Sequence, residues 1–119
     1  MSRLMGIARF TFHDGKVEEY KRLSAQCMAI VKEQDTGTLR YEIFLNAEET
    51  QALVIEEYVD TQALIDHLAH IGDELSSAIL ATATVHGELL GDMSEEFRAQ
   101  LQGGPVQPFL PFLAMPTVG

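Results

Sequence analysis

The spacing of the hydrophobic residues switches back and forth between every second and every third or fourth position. The order of those switches restricts the fold more than any other feature of this chain. In "LMGIARFTF" (4–12), Leu4, Gly6, Ala8, Phe10 and Phe12 fall on one side of an extended backbone and Met5, Ile7, Arg9 and Thr11 on the other, which is the alternation of a strand. From residue 15 to 34 the spacing is helical, and Val17, Tyr20, Ser24, Cys27, Met28 and Val31 make one stripe. Asp14 is the expected N-cap, and Asp35-Thr36-Gly37 ends the helix with a glycine that tolerates left-handed backbone. Alternation returns in "TLRYEIFL" (38–45) and "QALVIEEYV" (51–59), joined by the turn-forming "NAEET". Asp60 then caps a second helix over 61–80, with an interruption expected near Gly72, and "TATVHGELL" (82–90) alternates again. This β-α-β-β-α-β order is ferredoxin-like, so an α+β domain with two helices covering one sheet is expected over 1–90.

One set of strand faces is almost wholly apolar and suits the helical cover. In the middle strands it comprises Leu39, Tyr41, Ile43 and Leu45, then Leu53, Ile55 and Glu57. The opposite set is mixed: Arg9, Arg40, Glu42, Glu56, His86 and Glu88 beside Met5, Ile7, Phe44 and Val54. A half-apolar open sheet needs a cover, and a second copy supplies one, with opposite charges pairing across the interface. A homodimer is therefore expected; the alternative is a solvated monomer face.

The segment 91–119 is a separate feature that packs on the domain or on a partner. "DMSEEFRAQLQGG" has the form of a short helix capped by Asp92 or Ser94, with Glu95 and Glu96 in its first turn. "PVQPFLPFLAMP" is too rich in proline for a regular helix or a central strand. Its Phe109, Leu110, Phe112 and Leu113 need a groove to lie in.

Composition sets limits on partners. With 18 acidic against 8 basic residues the net charge is -10, which opposes nucleic acid and anionic lipid surfaces. No apolar run approaches the length of a membrane span, and the N-terminus has no secretory h-region. The single cysteine, Cys27, forms no internal disulfide, which suits a reducing cytoplasm; placed mid-stripe, it reads as an inert buried thiol. Phosphate-binding, dinucleotide and nucleophile-elbow motifs are all missing.

Chemistry is concentrated in "EYVDTQALIDHLAH" (57–70). If Leu64, Leu68, Ile71 and Leu75 form the buried stripe of the second helix, His67 lies about 60° from its centre, on the shoulder against the sheet, and His70 about 120° away, toward solvent. His67 is the candidate for a pocket, with a structural hydrogen bond to the sheet as the alternative. The pair lacks the Glu of an H-E-x-x-H site, so no metal is expected. Tyr41 is either a core phenol or the wall of an aromatic pocket. Glu57 is either a frayed strand end or a carboxyl raised by its apolar neighbours.

The whole pattern resembles the antibiotic biosynthesis monooxygenase family. The third strand and second helix carry the local match, with Glu56, Tyr58 and Asp60 followed by "ALIDHL", and later "GELLGDMSEEFRAQL". The resemblance implies a dimeric α/β barrel and a monooxygenase that uses neither metal nor flavin. It implies a quinol-like or polycyclic phenolic substrate, with a non-catalytic small-ligand-binding or accessory protein of the same fold as the alternative. On that reading His67 is the base, Tyr58 and Tyr41 orient the ring, Phe10 and Phe12 are walls, and Glu57 contacts the ligand. Tyr58 stands where many relatives carry Trp, and the chain has no Trp at all, which argues against a haem-degrading role.

Overall fold

The computed structural model describes residues 3–116; the ends of both expected segments, 1–2 and 117–119, lie outside the described residues. The elements in chain order are β1 (Leu4–Phe12), α1 (Val17–Gln34), β2 (Thr38–Leu45), β3 (Gln51–Tyr58), α2 (Thr61–Ile71), α3 (Asp73–Leu80), β4 (Ala83–Leu90), α4 (Glu95–Leu101) and β5 (Val106–Phe109). The strands form one open sheet in the order β2-β3-β1-β4-β5. The first four pair antiparallel, as a ferredoxin-like fold requires. A single chain therefore makes a sheet and no closed barrel.

Helix α1 buries Tyr20, Leu23, Ser24, Cys27 and Val31. Its start differs from the expected one: Lys16, not Asp14, occupies the cap position, without a side-chain cap bond. The second helical stretch is two helices. Gly72 adopts a φ of 83° between them, a backbone that a side chain disfavours. Asp60 caps α2 as expected, accepting from the Ala63 amide at 2.9 Å.

Two expectations about faces are corrected. In β3 the residues under the helices are Ala52, Val54, Glu56 and Tyr58, not Leu53, Ile55 and Glu57. The register decides this: Leu4 stands opposite Tyr58, Gly6 opposite Glu56 and Ala8 opposite Val54, and directly opposed residues in an antiparallel ladder share a face. In α2 the buried residues are Ala63 and His67, while Leu68 is 54% exposed. The helix is thus rotated from the stripe that its leucines suggest. Gly37 makes this rotation possible, since a Cβ there would meet the Ala63 Cβ at 2.6 Å, and only a bare backbone lets α2 come so close.

Two apolar clusters hold the layers together. Leu23, Cys27, Val31 and Leu75 join α1 to α3. Leu4, Leu89 and Met93 join the sheet to the C-terminal segment, with Leu64, Phe97, Leu101 and Val106 packed on them. Helix α4 is capped by Ser94, whose hydroxyl accepts from the Phe97 amide at 3.1 Å. The chain then adds an edge strand, β5, parallel to β4. Pro108 is tolerated there because an edge strand has one side free of ladder bonds. Beyond it Phe112 and Leu113 are 96% and 86% exposed.

The open face carries Ile7, Phe44, Leu53 and Ile55 among charges. Those charges pair within the chain, Arg40 with Glu42 at 2.9 Å and His86 with Glu88 at 3.0 Å. Among the described residues no helix is long and apolar enough to cross a membrane.

Candidate functional site

The close packing of α2 on the loop after α1 brings Asp35 under two histidines. His67 Nδ1 lies 2.7 Å from one carboxylate oxygen of Asp35, and His70 Nδ1 lies 2.7 Å from the other. Thr38 donates its hydroxyl to Asp35 at 2.6 Å. Burial pushes the Asp35 carboxyl up, but the hydrogen bonds from Thr38, His70 and His67 outweigh it and hold the carboxyl below its ordinary value. Asp35 is thus an anion and accepts only, so both imidazoles present N–H to it from Nδ1. This fixes which ring nitrogen of His67 faces Asp35 and turns its Nε2 toward β3.

Glu56 is what that nitrogen faces, with Nε2 and Oε1 3.7 Å apart. Glu56 in turn accepts the Tyr58 hydroxyl. Burial raises the Glu56 carboxyl above its ordinary value, opposed by the Tyr58 hydrogen bond and the charge of His67. Burial likewise raises the Tyr58 phenol, reinforced by the negative charge of Glu56. The His67 ring sits between two phenols, 5.2 Å from Tyr41 and 5.3 Å from Tyr58, edge-on to both. Tyr41 also contacts the Cys27 thiol at 3.2 Å. That thiol is buried and raised by its burial, as an unreactive cysteine should be.

Glu56 and Tyr58 end this buried line at a cavity of about 440 Å³ between the sheet and α2 and α4. Its floor is Gly6, Ala8 and Gly87; its roof is Leu64, Ile65 and Leu68; Phe97 and Leu101 of α4 close one side. The leucines that sequence periodicity assigns to the core of α2 therefore line the cavity instead. The walls are mostly apolar, and Glu56 is the acid whose proton affinity the site raises.

The residues singled out from sequence are distributed unevenly about this site. His67, Tyr41 and Tyr58 come together, with Tyr58 on the cavity wall and His67 behind Glu56. Phe10 and Phe12 pack on Tyr20, ring centres 5.2 and 4.8 Å apart, and do not line the cavity. Glu57 is corrected to the open face, where Arg3 reaches it at 3.3 Å. His70, expected in solvent, is corrected to a partner of Asp35. Two members are absent from the residues that the sequence points to as a site. Glu56 was placed on the wrong face, and Asp35 was read only as a helix terminator. The small residues Gly37 and Ala63, which let α2 approach that terminator, were the available signal. Among the described residues no group of three or more His, Cys, Asp or Glu side chains is arranged to hold a metal ion.

A sequence model of the family described as antibiotic biosynthesis monooxygenase matches residues 4–74. No curated protein matches the chain. Among solved structures, MupZ from Pseudomonas fluorescens is similar with a TM-score of 0.80 and 25% identity, over 97% of this chain and 89% of that one. SnoaB from Streptomyces nogalater, described as a cofactor-independent oxygenase, is similar in fold with a TM-score of 0.63 at 20% identity, over 78% of this chain and 93% of its own. A conserved protein from Methanosarcina mazei Go1 gives 0.65 at 17% identity, over 75% and 91%. Of these three, MupZ alone matches across nearly the whole chain, C-terminal segment included.

Proposed function

Because the chain belongs to the antibiotic biosynthesis monooxygenase family, we propose that it is a cofactor-independent monooxygenase that oxidises a quinol-like or polycyclic phenolic substrate with O2. The observation that carries this reading is Glu56: a carboxyl raised by burial at the polar end of a mostly apolar cavity, backed by a histidine whose orientation Asp35 fixes. A carboxyl tuned upward takes and returns protons more effectively near neutral pH. Glu56 is thus the base in direct contact with substrate, and His67 supports it from behind. Tyr58 holds the Glu56 carboxyl in place at the cavity wall.

The chemistry then balances without a bound redox group. Glu56 removes the phenolic proton, and the phenolate passes one electron to O2. The phenoxyl radical and superoxide recombine at the ring carbon para to the oxygen, giving a peroxide that takes up a proton. Loss of the hydrogen on that carbon and cleavage of the O–O bond leave a quinone and water. A phenol with a free para C–H plus O2 thus gives quinone plus H2O. The apolar lining of Leu64, Phe97 and Leu101 lowers the polarity around these intermediates. SnoaB, described as a cofactor-independent oxygenase, supports such chemistry on this fold.

Two further features belong to the same proposal. A second copy covers the open face that carries Ile7, Phe44, Leu53 and Ile55, completing a dimeric barrel. The location is cytoplasmic, in keeping with the single free thiol of Cys27.

The test is O2 consumption by metal-free protein with a panel of phenols that keep a hydrogen para to the hydroxyl, 1-naphthols and anthrones among them. The wild type consumes O2 with at least one of them, and Glu56→Gln slows it by about 10²–10⁴-fold. If compounds raise the melting temperature but none is turned over, the oxygenase reading fails and a non-catalytic ligand-binding protein takes its place.

A further inference from the structure

The cavity floor is unusual for the middle of a sheet because it has almost no side chains. Gly6 and Ala8 follow one another on the same face of β1; Ala8 stands directly opposite Gly87 of β4, and Gly6 opposite Leu89, which forms a wall of the cavity. The bare positions form a strip about 7 Å long on β1, widening by one strand at Ala8 and bounded beside Gly6 by Glu56 and Leu89. Glycine in a strand costs about 0.5–1 kcal/mol relative to alanine, so its presence at the floor calls for a reason.

Packing supplies that reason at Gly87 but not at Gly6. A Cβ on Gly87 would sit 3.2 Å from the Ile7 carbonyl oxygen, tighter than side chains normally come. A Cβ on Gly6 would meet Leu89 Cδ1 at 3.7 Å and Glu56 Cβ at 3.8 Å, both ordinary contacts. Nor does Gly6 have the positive φ found at Gly15, Gly72, Gly91 and Gly103. The fold accepts alanine at residue 6; the space that alanine would take is cavity, next to the Glu56 side chain.

We propose that Gly6 sets the shape specificity of this site. Its missing side chain leaves a flat floor on which a planar fused-ring phenol lies face-down with its hydroxyl at Glu56, while a puckered, partly saturated ring of similar outline fits less well. The inference rests on the phenolic substrate proposed above and adds which residue selects planarity.

The experiment compares binding of 2-naphthol and 5,6,7,8-tetrahydro-2-naphthol, which share the hydroxyl and differ in the planarity of the second ring. Binding is measured by calorimetry under argon, so that turnover plays no part. The wild type binds the planar compound several-fold more tightly. Gly6→Ala melts no lower than wild type yet loses about tenfold in 2-naphthol affinity together with the planar preference, and Gly6→Val loses more. The proposal is overturned if the wild type binds neither compound or does not discriminate. It is also overturned if the folded variants bind as the wild type does, or if both variants fail to fold, which would make the glycine a packing requirement. A chain that shows the preference but consumes no O2 fails as an oxygenase and keeps its planar floor.

Discussion

Asp35 holds His67 by Nδ1 at 2.7 Å across 32 positions of sequence, with both side chains almost fully buried. This contact joins the end of α1 to the middle of α2 and sets the direction of the one imidazole that faces Glu56. Such a pair ties the fold together and, on the proposed reading, also orients the site, and the two roles separate by mutation.

Removing the carboxylate should be costly. Asp35→Ala strips an ionised acceptor from two imidazoles and the Thr38 hydroxyl and leaves buried His67 Nδ1 without a partner. Hydrogen bonds to charged groups contribute about 1.5–3 kcal/mol each and do not add fully, so a loss of about 3 kcal/mol is expected. Urea unfolding should show a lower midpoint with unchanged slope. A midpoint within error of wild type would mean that this cluster is not a structural tie.

The same carboxylate should shape the acid limb of stability. Asp35 is held below its ordinary value of 3.8, so its contribution is fully present above that pH and is lost as pH falls through the depressed folded value. Asp35→Asn should therefore be destabilised most above about pH 4, and the gap to wild type should narrow at lower pH. Melting curves between pH 2 and 7 test this; a gap that widens on acidification would contradict it.

Glu56 should behave in the opposite sense. Its folded value is raised above 4.5, so its contribution is fully present below that pH and is lost as pH rises through the folded value. Glu56→Gln keeps an acceptor for the Tyr58 hydroxyl and removes the buried charge. It should be at least as stable as wild type at pH 7 while losing about 10²–10⁴-fold in kcat, the usual contribution of a general base. Steady-state O2 uptake beside thermal melting separates the two effects. A variant that keeps the wild-type rate removes Glu56 from the chemistry.

The strand and helix order was legible because period two and period 3.6 leave distinct marks, and changes of period fall at a capping or turn residue such as Gly37 or Asp60. The faces of β3 were not. Apolar residues occur at both parities of "QALVIEEY", Ala52, Val54 and Tyr58 against Leu53 and Ile55, and each parity also carries one glutamate. Only the pairing of Gly6 with Glu56 breaks the tie, and pairing is a tertiary fact. The helical wheel of α2 failed for a related reason. Leu64, Ile65 and Leu68 are apolar because they line a cavity, and periodicity does not distinguish a core from the wall of a hollow. His70 was consequently sent to solvent, and Asp35, distant in sequence, was invisible as their common partner.

The open sheet face supplies the remaining prediction. Phe44 is 50% exposed in the single chain, and it stands opposite Leu53 on a strand pair that also presents Ile55. An apolar surface of this kind marks an interaction site, and a sheet that meets its own copy across a two-fold axis presents the same residues from both sides. Phe44→Glu places two carboxylates near one another in that interface and leaves the helix-covered core untouched. The wild type at micromolar concentration should scatter light with twice the 13.2 kDa chain mass, and Phe44→Glu should scatter as a single chain with its far-ultraviolet dichroism unchanged. Since the cavity lies on the other face of the sheet, the separated variant should still bind 2-naphthol. A wild type that is monomeric throughout would remove the barrel from the proposal.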